Sequence, residues 1–406
     1  MLIEILLFTI FGVGAGLVAG LLPGWHPNAV LAILIGSIGF FSGFSAYSII
    51  AFIVSLSITN SISSFLPSLL FGAPDDSTEL SIMPGHQMML EGRAYEALFL
   101  TVIGGVGVVI LSIITFPLLL YFLPILYSGI SSYIHFLLIF VVLWMIISEN
   151  RTGMFYATLI FIFSGMFGIF SLSAFPAISI FPALTGLFGI SGLLLSLGKQ
   201  SEIPKQNEKP QVTVSLKGIF TGWISGLLVG ILPGIGSSQA GVIASNALKA
   251  KRQDFLTALG GINTSNIFFT FIAFFALEKT RSGAAAAVSQ IIATPTLYDL
   301  VFIIIIVLIT TLLASVLTLR IGKVMIRKIQ GVSYSKLNLS IILFLTALVA
   351  IMTGLMGLLI LIIGVCIGIL AHLLRIKKSN MMGFFLLPTI LYFSGLNPPL
   401  FAVLGI

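Results

Sequence analysis

Charge and thiol chemistry are what this sequence has least of. Only 8% of its 406 residues are charged, against about 25% in a typical soluble domain. Its single cysteine, Cys366, excludes an intrachain disulfide and is expected to pack within its apolar run. Four scattered histidines without a Cys/His cluster argue against a structural metal site. These deficits disfavour soluble, disulfide-rich and zinc-dependent classes.

Apolar residues are what the chain has in excess. They make up 58% of the sequence, and the mean hydropathy is +1.19. Runs long enough to cross a bilayer core recur along the chain, so we expect an all-α polytopic membrane protein with roughly 10–12 membrane segments. The first run lacks an A-x-A-like cleavage site and is interpreted as part of the mature fold. The net charge of +7 requires no nucleic-acid partner, because Lys and Arg concentrate in loops beside the spans.

One stretch occurs twice. Residues 16–28 and 226–239 both run through glycines four apart into a Pro-Gly break, followed by polar residues. Small residues let helices approach closely, and broken helices at matching places in two halves indicate a transporter's binding site. A pair of ordinary tight turns is the alternative. The candidate substrate residues at the breaks are Pro23, Gly24 and Asn28 in the first copy, and Pro233, Gly234, Gly236, Ser237 and Ser238 in the second.

A hydrophilic linker, residues 199–217, divides the chain into a first membrane repeat, 1–198, and a second, 218–406. The positive-inside rule predicts that the basic segments are cytoplasmic, and that the two uncharged or weakly charged turns of the first half face out. The halves are therefore expected to be inverted repeats with broken or re-entrant helices, with the N-terminus outside. The segments expected inside are 199–217, 249–252, 320–336 and 375–378, and those expected outside are 39–45 and 149–151.

Two charged clusters lie between apolar segments at comparable places in the halves. Adjacent Asp75 and Asp76, with Thr78, are candidates for coupling a Na⁺ or H⁺ gradient, since neighbouring carboxyls raise at least one pKa. Lys279 and Arg281 are candidates for neutralising an anion. The alternative is ordinary surface loops, where a salt bridge would contribute little.

Neutral polar residues form a third candidate group. Asn60 and Ser61 in the first half correspond to a polar segment containing Asn263 and Asn266 in the second. Amide and hydroxyl groups suit a carboxylate or a sodium ion without the cost of a buried charge, although interhelical hydrogen bonding is an equal alternative. We expect Asn60 and Asn266 to lie close together near the membrane midplane.

The motifs, in order, resemble the tripartite tricarboxylate transporter large permease family, the TctA family. Both glycine-proline breaks resemble its signature, as do Phe71-Gly-Ala-Pro-Asp-Asp-Ser-Thr78, Glu91-Gly-Arg-Ala-Tyr-Glu-Ala-Leu98 and Leu184-Thr-Gly-Leu-Phe-Gly-Ile-Ser191. The chain departs where the family commonly has Pro-Gly, at Pro74-Asp75 and Thr280-Arg281, and it is shorter than typical members. The resemblance implies a large permease that works with a small membrane subunit and an extracytoplasmic solute-binding protein.

The leading hypothesis is therefore a secondary active transporter in the plasma membrane, not an enzyme. It would carry an organic anion, such as a carboxylate, by alternating access, with an elevator-like motion as one option and Na⁺ or H⁺ as the coupling ion. A flippase or scavenger of a lipid-linked phosphate is the alternative, in which Lys279 and Arg281 bind the head group. An intramembrane aspartyl protease is disfavoured, because adjacent Asp75 and Asp76 do not supply two catalytic groups on separate helices. No other cofactor is expected, and assembly into a homo-oligomer is left open.

Overall fold

A computed structural model describes residues 1–22, 43–72, 82–176, 178–197, 202–208, 212–231, 237, 240–241, 251–280, 282–292 and 294–396. Within those ranges the chain is nearly all helical, and its only β-pairing is an isolated bridge between Glu202 and Ser333. Seven of the described helices are long and apolar enough to cross a membrane, by length and composition. The expectation of an all-α polytopic membrane protein is confirmed.

The described helices of the first half follow from its apolar runs. In chain order they are α1 (Leu2–Leu21), α2 (Ala46–Ser63), α3 (Phe65–Phe71), α4 (Ile82–Leu90), α5 (Ala94–Ile130), α6 (Ile134–Ile147), α7 (Arg151–Ala174) and α8 (Ile180–Leu184). A π-helical turn, Thr185–Ile190, leads from α8 into α9 (Ser191–Ser196).

Six described α-helices belong to the second half. Its described helices are α10 (Leu216–Ile231), α11 (Arg252–Leu277), α12 (Gly283–Ile291), α13 (Leu297–Ile329), α14 (Tyr334–Leu373) and α15 (Gly383–Phe393). A short 3₁₀ helix, Lys378–Met382, precedes α15.

Proline positions did not predict the helix ends in α5. The sequence suggests a break at Pro124, yet α5 continues through Pro117 and Pro124, and a 3₁₀ turn at Ser131–Tyr133 separates it from α6. Prolines are tolerated in membrane helices because neighbouring groups satisfy the freed carbonyls.

Helix α14 is interrupted by a glycine. Gly354 has non-helical dihedrals, φ 64° and ψ −158°. A straight helix of 40 residues would extend about 60 Å at ~1.5 Å per residue. Tyr334 and His372, near its two ends, nevertheless line one cavity. The helix therefore folds back at Gly354.

Glycines pack the repeated helices together in matching register. Helix α1 lies on α2, and a Cβ on Gly16 would come within 2.5 Å of the Leu56 carbonyl oxygen. Helix α10 lies on α11 in the same way, with Gly226 against Ser265 and Gly230 against Phe269. The small residues of the repeat thus provide the close helix approach that their spacing predicts.

The long helix α5 of the first half packs against α11 of the second half, and the long helix α13 of the second half packs against α2 of the first. Gly104 of α5 touches the Thr257 carbonyl of α11, and Gly260 of α11 touches the Thr101 carbonyl of α5. In the reciprocal contact, Ser55 of α2 and Thr310 of α13 share a hydrogen bond of 3.0 Å. The two halves are interlocked instead of lying side by side.

Hydrogen bonds identify which helix ends lie together. At one end, here named the basic end, Arg252 at the start of α11 pairs with Glu91 before α5 at 2.7 Å, and Lys323 near the end of α13 lies 5.9 Å from the Tyr95 ring. At the other end, here named the opposite end, Tyr47 near the start of α2 donates to Asp299 at the start of α13 at 2.8 Å.

The hydrophilic linker is docked at the basic end. The Gln206 side chain is buried, accepts from Ala94 N at 2.9 Å and donates to the Met89 carbonyl at 2.8 Å. Glu208 accepts from the Arg327 guanidinium, which lowers the pKa of that carboxyl to about 2. The linker is therefore held against both halves of the chain.

One topology assignment is wrong. The charge pattern predicts that the 149–151 turn and the 375–378 patch lie on opposite sides of the membrane. Glu149 accepts from Lys377 N at 3.0 Å, and Lys377 Nζ donates to the Ser148 carbonyl at 2.8 Å, so the two segments lie together. The error arose because the turn was matched to the α13–α14 loop, whereas the element that follows the long helix α5 is the Ser131–Tyr133 turn.

Cys366 also differs from expectation, because it is exposed on α14 instead of packed. It shares that helix with exposed Leu355, Ile362 and Ile363, a surface suited to lipid.

Candidate functional site

A band of small polar side chains lies inside α2. Among them Ser57, Asn60, Ser61 and Ser63 are all buried. The helix tolerates them because the hydroxyls bond back to its own carbonyls, as Ser57 does to Ile53 at 2.9 Å and Ser63 to Thr59 at 2.8 Å. The polar groups therefore enter an apolar interior without large desolvation penalties.

The matching helix of the second half carries its own polar band at Asn263, Thr264 and Ser265, all buried. The two bands meet where Asn263 Nδ2 donates to the Ser61 carbonyl at 2.8 Å. This contact between residues 202 apart in sequence joins α2 and α11. Two of the predicted site residues are thus brought together, and they bind each other.

The amides of Asn60 and Asn266 are not used in this way. Neither side chain takes part in any hydrogen bond with the described residues. Asn60 is nevertheless only 5% exposed, and Asn266 is half-buried. A buried amide without a partner among the described residues is available to bond water or a ligand. Their mutual proximity stays a prediction.

Three buried hydroxyls lack hydrogen-bond partners within the described part of the chain: Thr59 Oγ1, Ser64 Oγ and Ser237 Oγ. Thr59 touches Gly16 where α1 crosses α2. Ser237, a predicted substrate residue after the second break, is 3% exposed. Thr59, next to Asn60 in the chain, adds a neutral donor and acceptor to the polar band of α2.

Lys279 lies elsewhere. It follows the end of α11, is exposed, and its Nζ donates to Tyr127 Oη at 3.1 Å while lying 4.5 Å from the centre of that ring. Asn263 lies fourteen residues before the end of α11 at Leu277, about 21 Å away at ~1.5 Å per residue, and Lys279 lies beyond that end. The structure does not bring Lys279 into the asparagine group, and its substrate role stays a prediction.

The other predicted site residues lie outside the described residues. They are Pro23, Gly24 and Asn28 of the first break, Pro233, Gly234, Gly236 and Ser238 of the second, Asp75, Asp76 and Thr78 of the acidic stretch, and Arg281.

A second polar site, a cavity of about 140 Å³ at the basic end, was not predicted from the sequence. Its polar lining comprises His86 and Gln87 of α4, Tyr334 and His372 of α14, and Lys378. These residues are scattered over almost 300 positions, so no local motif signals the cluster.

Comparison with known proteins agrees with these features. The family model described as "Tripartite tricarboxylate transporter TctA family" matches residues 6–383. The protein named "Uncharacterized protein MJ1079" of Methanocaldococcus jannaschii is 31% identical over 400 residues, covering 96% of this chain and 98% of that protein. No solved structure matches the chain.

Proposed function

The chain belongs to the tripartite tricarboxylate transporter TctA family, and on that premise we propose that it carries an organic carboxylate across the membrane by alternating access, driven by a Na⁺ or H⁺ gradient. Membership makes the chain a permease of a tricarboxylate transporter class. The substrate, the coupling ion and the mechanism are the proposed part.

The observation that carries the proposal is the meeting of two buried polar bands at the contact between Asn263 and Ser61. Beside it, the Asn60 and Asn266 amides make no hydrogen bond with the described residues. Amide N–H groups donate to carboxylate oxygens, and their carbonyl oxygens suit a sodium ion. Both substrate and ion can thus be held by groups from both halves.

We also propose that the halves are inverted. Ser45, which precedes α2, donates its N–H to Glu4 at 2.8 Å, and Tyr47 bonds Asp299, so α1 and α2 begin at the opposite end with α13. Ser215, which precedes α10, donates to Asp254 of α11 at 2.6 Å. Because α11 begins at the basic end, these contacts support equivalent helices starting at opposite ends of the protein.

The same contacts support an orientation in the membrane. Arg93, Arg252, Lys323 and Arg327 gather at the basic end with the docked linker. The positive-inside rule then places this end and the linker in the cytoplasm, and the N-terminus outside.

The family description implies further components. "Tripartite" indicates a permease that works with two other parts, and we propose a small membrane subunit and an extracytoplasmic solute-binding protein for those places. A homo-oligomer is an additional proposal that co-purification would test.

The flippase alternative has no specific observation in its favour. It relies on Lys279 and Arg281 for a phosphate head group, and Lys279 is held by Tyr127. The transporter proposal is therefore the one that we pursue.

Purified protein in liposomes tests it. Uptake of labelled citrate, succinate and other carboxylates is measured under imposed Na⁺ or H⁺ gradients. Replacing Asn60 or Asn266 by Ala removes a hydrogen bond to a charged ligand, so we expect substrate affinity to fall about ten-fold to a hundred-fold. Asn207→Ala, on the exposed side of the linker, is the matched control and should transport normally. Unaltered uptake in both site variants would remove the asparagines from the site, and no uptake of any carboxylate by the wild type with its partners would contradict the function.

A further inference from the structure

The cavity at the basic end is built from both halves of the chain. Helix α3 reaches it at Gly72, α4 supplies His86, the turn after α8 leads to Gly192, and α14 supplies Tyr334 and His372 before Lys378 follows. The fold-back of α14 at Gly354 is what brings its two ends to one place. Arg375, with φ of 57°, then turns the chain so that Lys378 returns to the cavity.

Two nitrogen atoms approach a single point in this cavity. A Cβ on Gly192 would lie 3.6 Å from Lys378 Nζ and 3.9 Å from His372 Nε2. These are ordinary contact distances, so the glycine leaves an open place beside both nitrogens. The volume of about 140 Å³ is many times the ~10–15 Å³ that one water requires.

The charge of Lys378 lacks compensation among the described residues. Its Nζ takes part in no ion pair or hydrogen bond there, and no described carboxylate lines the cavity. Burial lowers the pKa of Lys378 to about 8, so the ammonium remains largely charged at neutral pH. A half-buried charge without a partner is unfavourable, and a bound anion would relieve this cost.

Hydrogen bonds settle the roles of the two histidines. His86 Nδ1 lies 3.1 Å from the Leu69 carbonyl and therefore donates to it, so neutral His86 accepts from Tyr334 Oη at Nε2, 2.8 Å away. Burial lowers the pKa of His86 to about 4, in keeping with this neutral ring. His372 Nδ1 donates to the Gly368 carbonyl at 2.9 Å. Its Nε2 can donate to a ligand only when the ring takes up a proton.

We propose that this cavity binds a small carboxylate anion between Lys378 and His372, with a proton taken up at His372 Nε2. The anion accepts hydrogen bonds from Lys378 Nζ and protonated His372 Nε2. His86 and Tyr334, which bond each other, form the neutral wall. The choice of a carboxylate rests on the proposed function, whereas the anion site itself does not.

The titratable groups around His372 make the direction of the pH dependence clear. Lys378 Nζ and His372 Nε2 face the same open place, so two positive charges repel each other there without an anion, and a bound carboxylate removes that repulsion. His86, whose pKa is lowered by burial, contributes no charge at neutral pH. Anion affinity should therefore fall as pH rises, first as His372 loses its proton and further above pH 8 as Lys378 does.

Direct binding to the purified full chain tests the proposal separately from transport. The melting temperature is followed against citrate, succinate and inorganic phosphate, with chloride at matched ionic strength. We expect carboxylate-specific stabilisation in the wild type, and an affinity about ten-fold to a hundred-fold lower in Lys378→Gln. Lys377→Gln is the matched control, since that neighbouring lysine is exposed and bonds Ser148, and it should bind like the wild type.

Two further variants separate loss of the site from loss of the fold. Gly192→Val fills the open place without changing charge and should weaken binding, whereas His372→Gln should flatten the pH dependence while leaving part of the affinity.

Each of several outcomes would overturn the proposal. Three of them are equal anion affinity in Lys378→Gln and the wild type, no stabilisation of the protein by any anion, and a preference for phosphate over carboxylates. The fourth is stabilisation of the protein by phosphatidylglycerol alone, which would assign Lys378 to a lipid head group. Carboxylate uptake without Lys378-dependent binding would refute this inference and leave the proposed function standing. Lys378-dependent binding without any carboxylate uptake would refute the proposed function and leave the anion site standing.

Discussion

A single methyl group on α1 offers the sharpest test of the packing that supports the candidate site. Gly16 lies where α1 crosses α2, and its added Cβ would meet the Leu56 carbonyl at 2.5 Å and Thr59 Cβ at 2.7 Å. Gly14, two residues earlier on the same helix, has nothing within 4 Å of the same position. Gly16→Ala and Gly14→Ala are thus chemically identical changes with opposite surroundings.

The expected magnitudes follow from these distances. Because the Leu56 carbonyl is backbone, Gly16→Ala must move α1 away from α2 by close to an ångström, and overpacking of this kind costs about 1–3 kcal/mol. Gly14→Ala adds no clash and removes the glycine penalty, so it should be neutral or stabilising by about 0.5–1 kcal/mol. The displacement in Gly16→Ala also reaches Asn60, whose backbone nitrogen is 3.2 Å from the added atom.

The equivalent position in the second half gives a contrasting result. The Cβ of Gly226→Ala would meet the Ser265 hydroxyl, a side-chain atom. Ser265→Ala removes that oxygen, so the double variant should recover most of the stability lost in Gly226→Ala. No side-chain change can rescue Gly16→Ala in this way.

Unfolding by SDS titration in mixed micelles measures these differences, with carboxylate uptake as the functional readout. Gly16→Ala should be less stable than Gly14→Ala and should transport poorly. Equal stability of the two variants would refute the packing argument. A Gly226→Ala defect that Ser265→Ala leaves unchanged would refute the assigned contact.

Two further predictions concern topology and coupling. In a Cys366→Ser background, single cysteines introduced at positions 45 and 251 should react with a thiol reagent from opposite sides of the membrane, because α2 and α11 begin at opposite ends. Labelling of both positions from outside would contradict the inversion. Asp75→Asn or Asp76→Asn should still exchange labelled substrate across the liposome membrane but no longer concentrate it against a gradient, since the carboxylate charge is expected to bind the coupling ion. Undiminished accumulation in both variants would make these carboxyls structural.

The helices themselves follow closely from local sequence. The sequence predicts a short helix at 83–93, and α4, Ile82–Leu90, begins one residue before that range and covers most of it. An apolar segment is predicted from 255, and α11 begins three residues earlier, at Arg252. Apolar length is sufficient for this purpose, because a membrane span must satisfy its backbone hydrogen bonds internally. The breaks are less predictable. Pro124 does not interrupt α5, whereas Gly354 reverses α14, since a proline's effect depends on neighbouring groups that the sequence does not reveal.

The residues of the candidate site were likewise predictable from the sequence, whereas their contacts were not. The polar segments around Asn60 and Asn263 were recognisable because such residues are unusual within apolar runs. That Asn263 bonds Ser61 depends on the crossing of α2 with α11. The predicted placement of the 149–151 turn and the 375–378 patch on opposite sides was wrong for a related reason, because the turn was matched to the α13–α14 loop.

By itself, the sequence determined the membrane class and the glycine-packed helix pairs, because hydrophobic length and residue size act over a few turns of one helix. Only the tertiary structure decided that α5 packs on α11 and α13 on α2, that the linker is docked, and that His86, Tyr334, His372 and Lys378 share a cavity. These features depend on contacts between segments far apart in the chain, whose register is set by the packing of the whole fold.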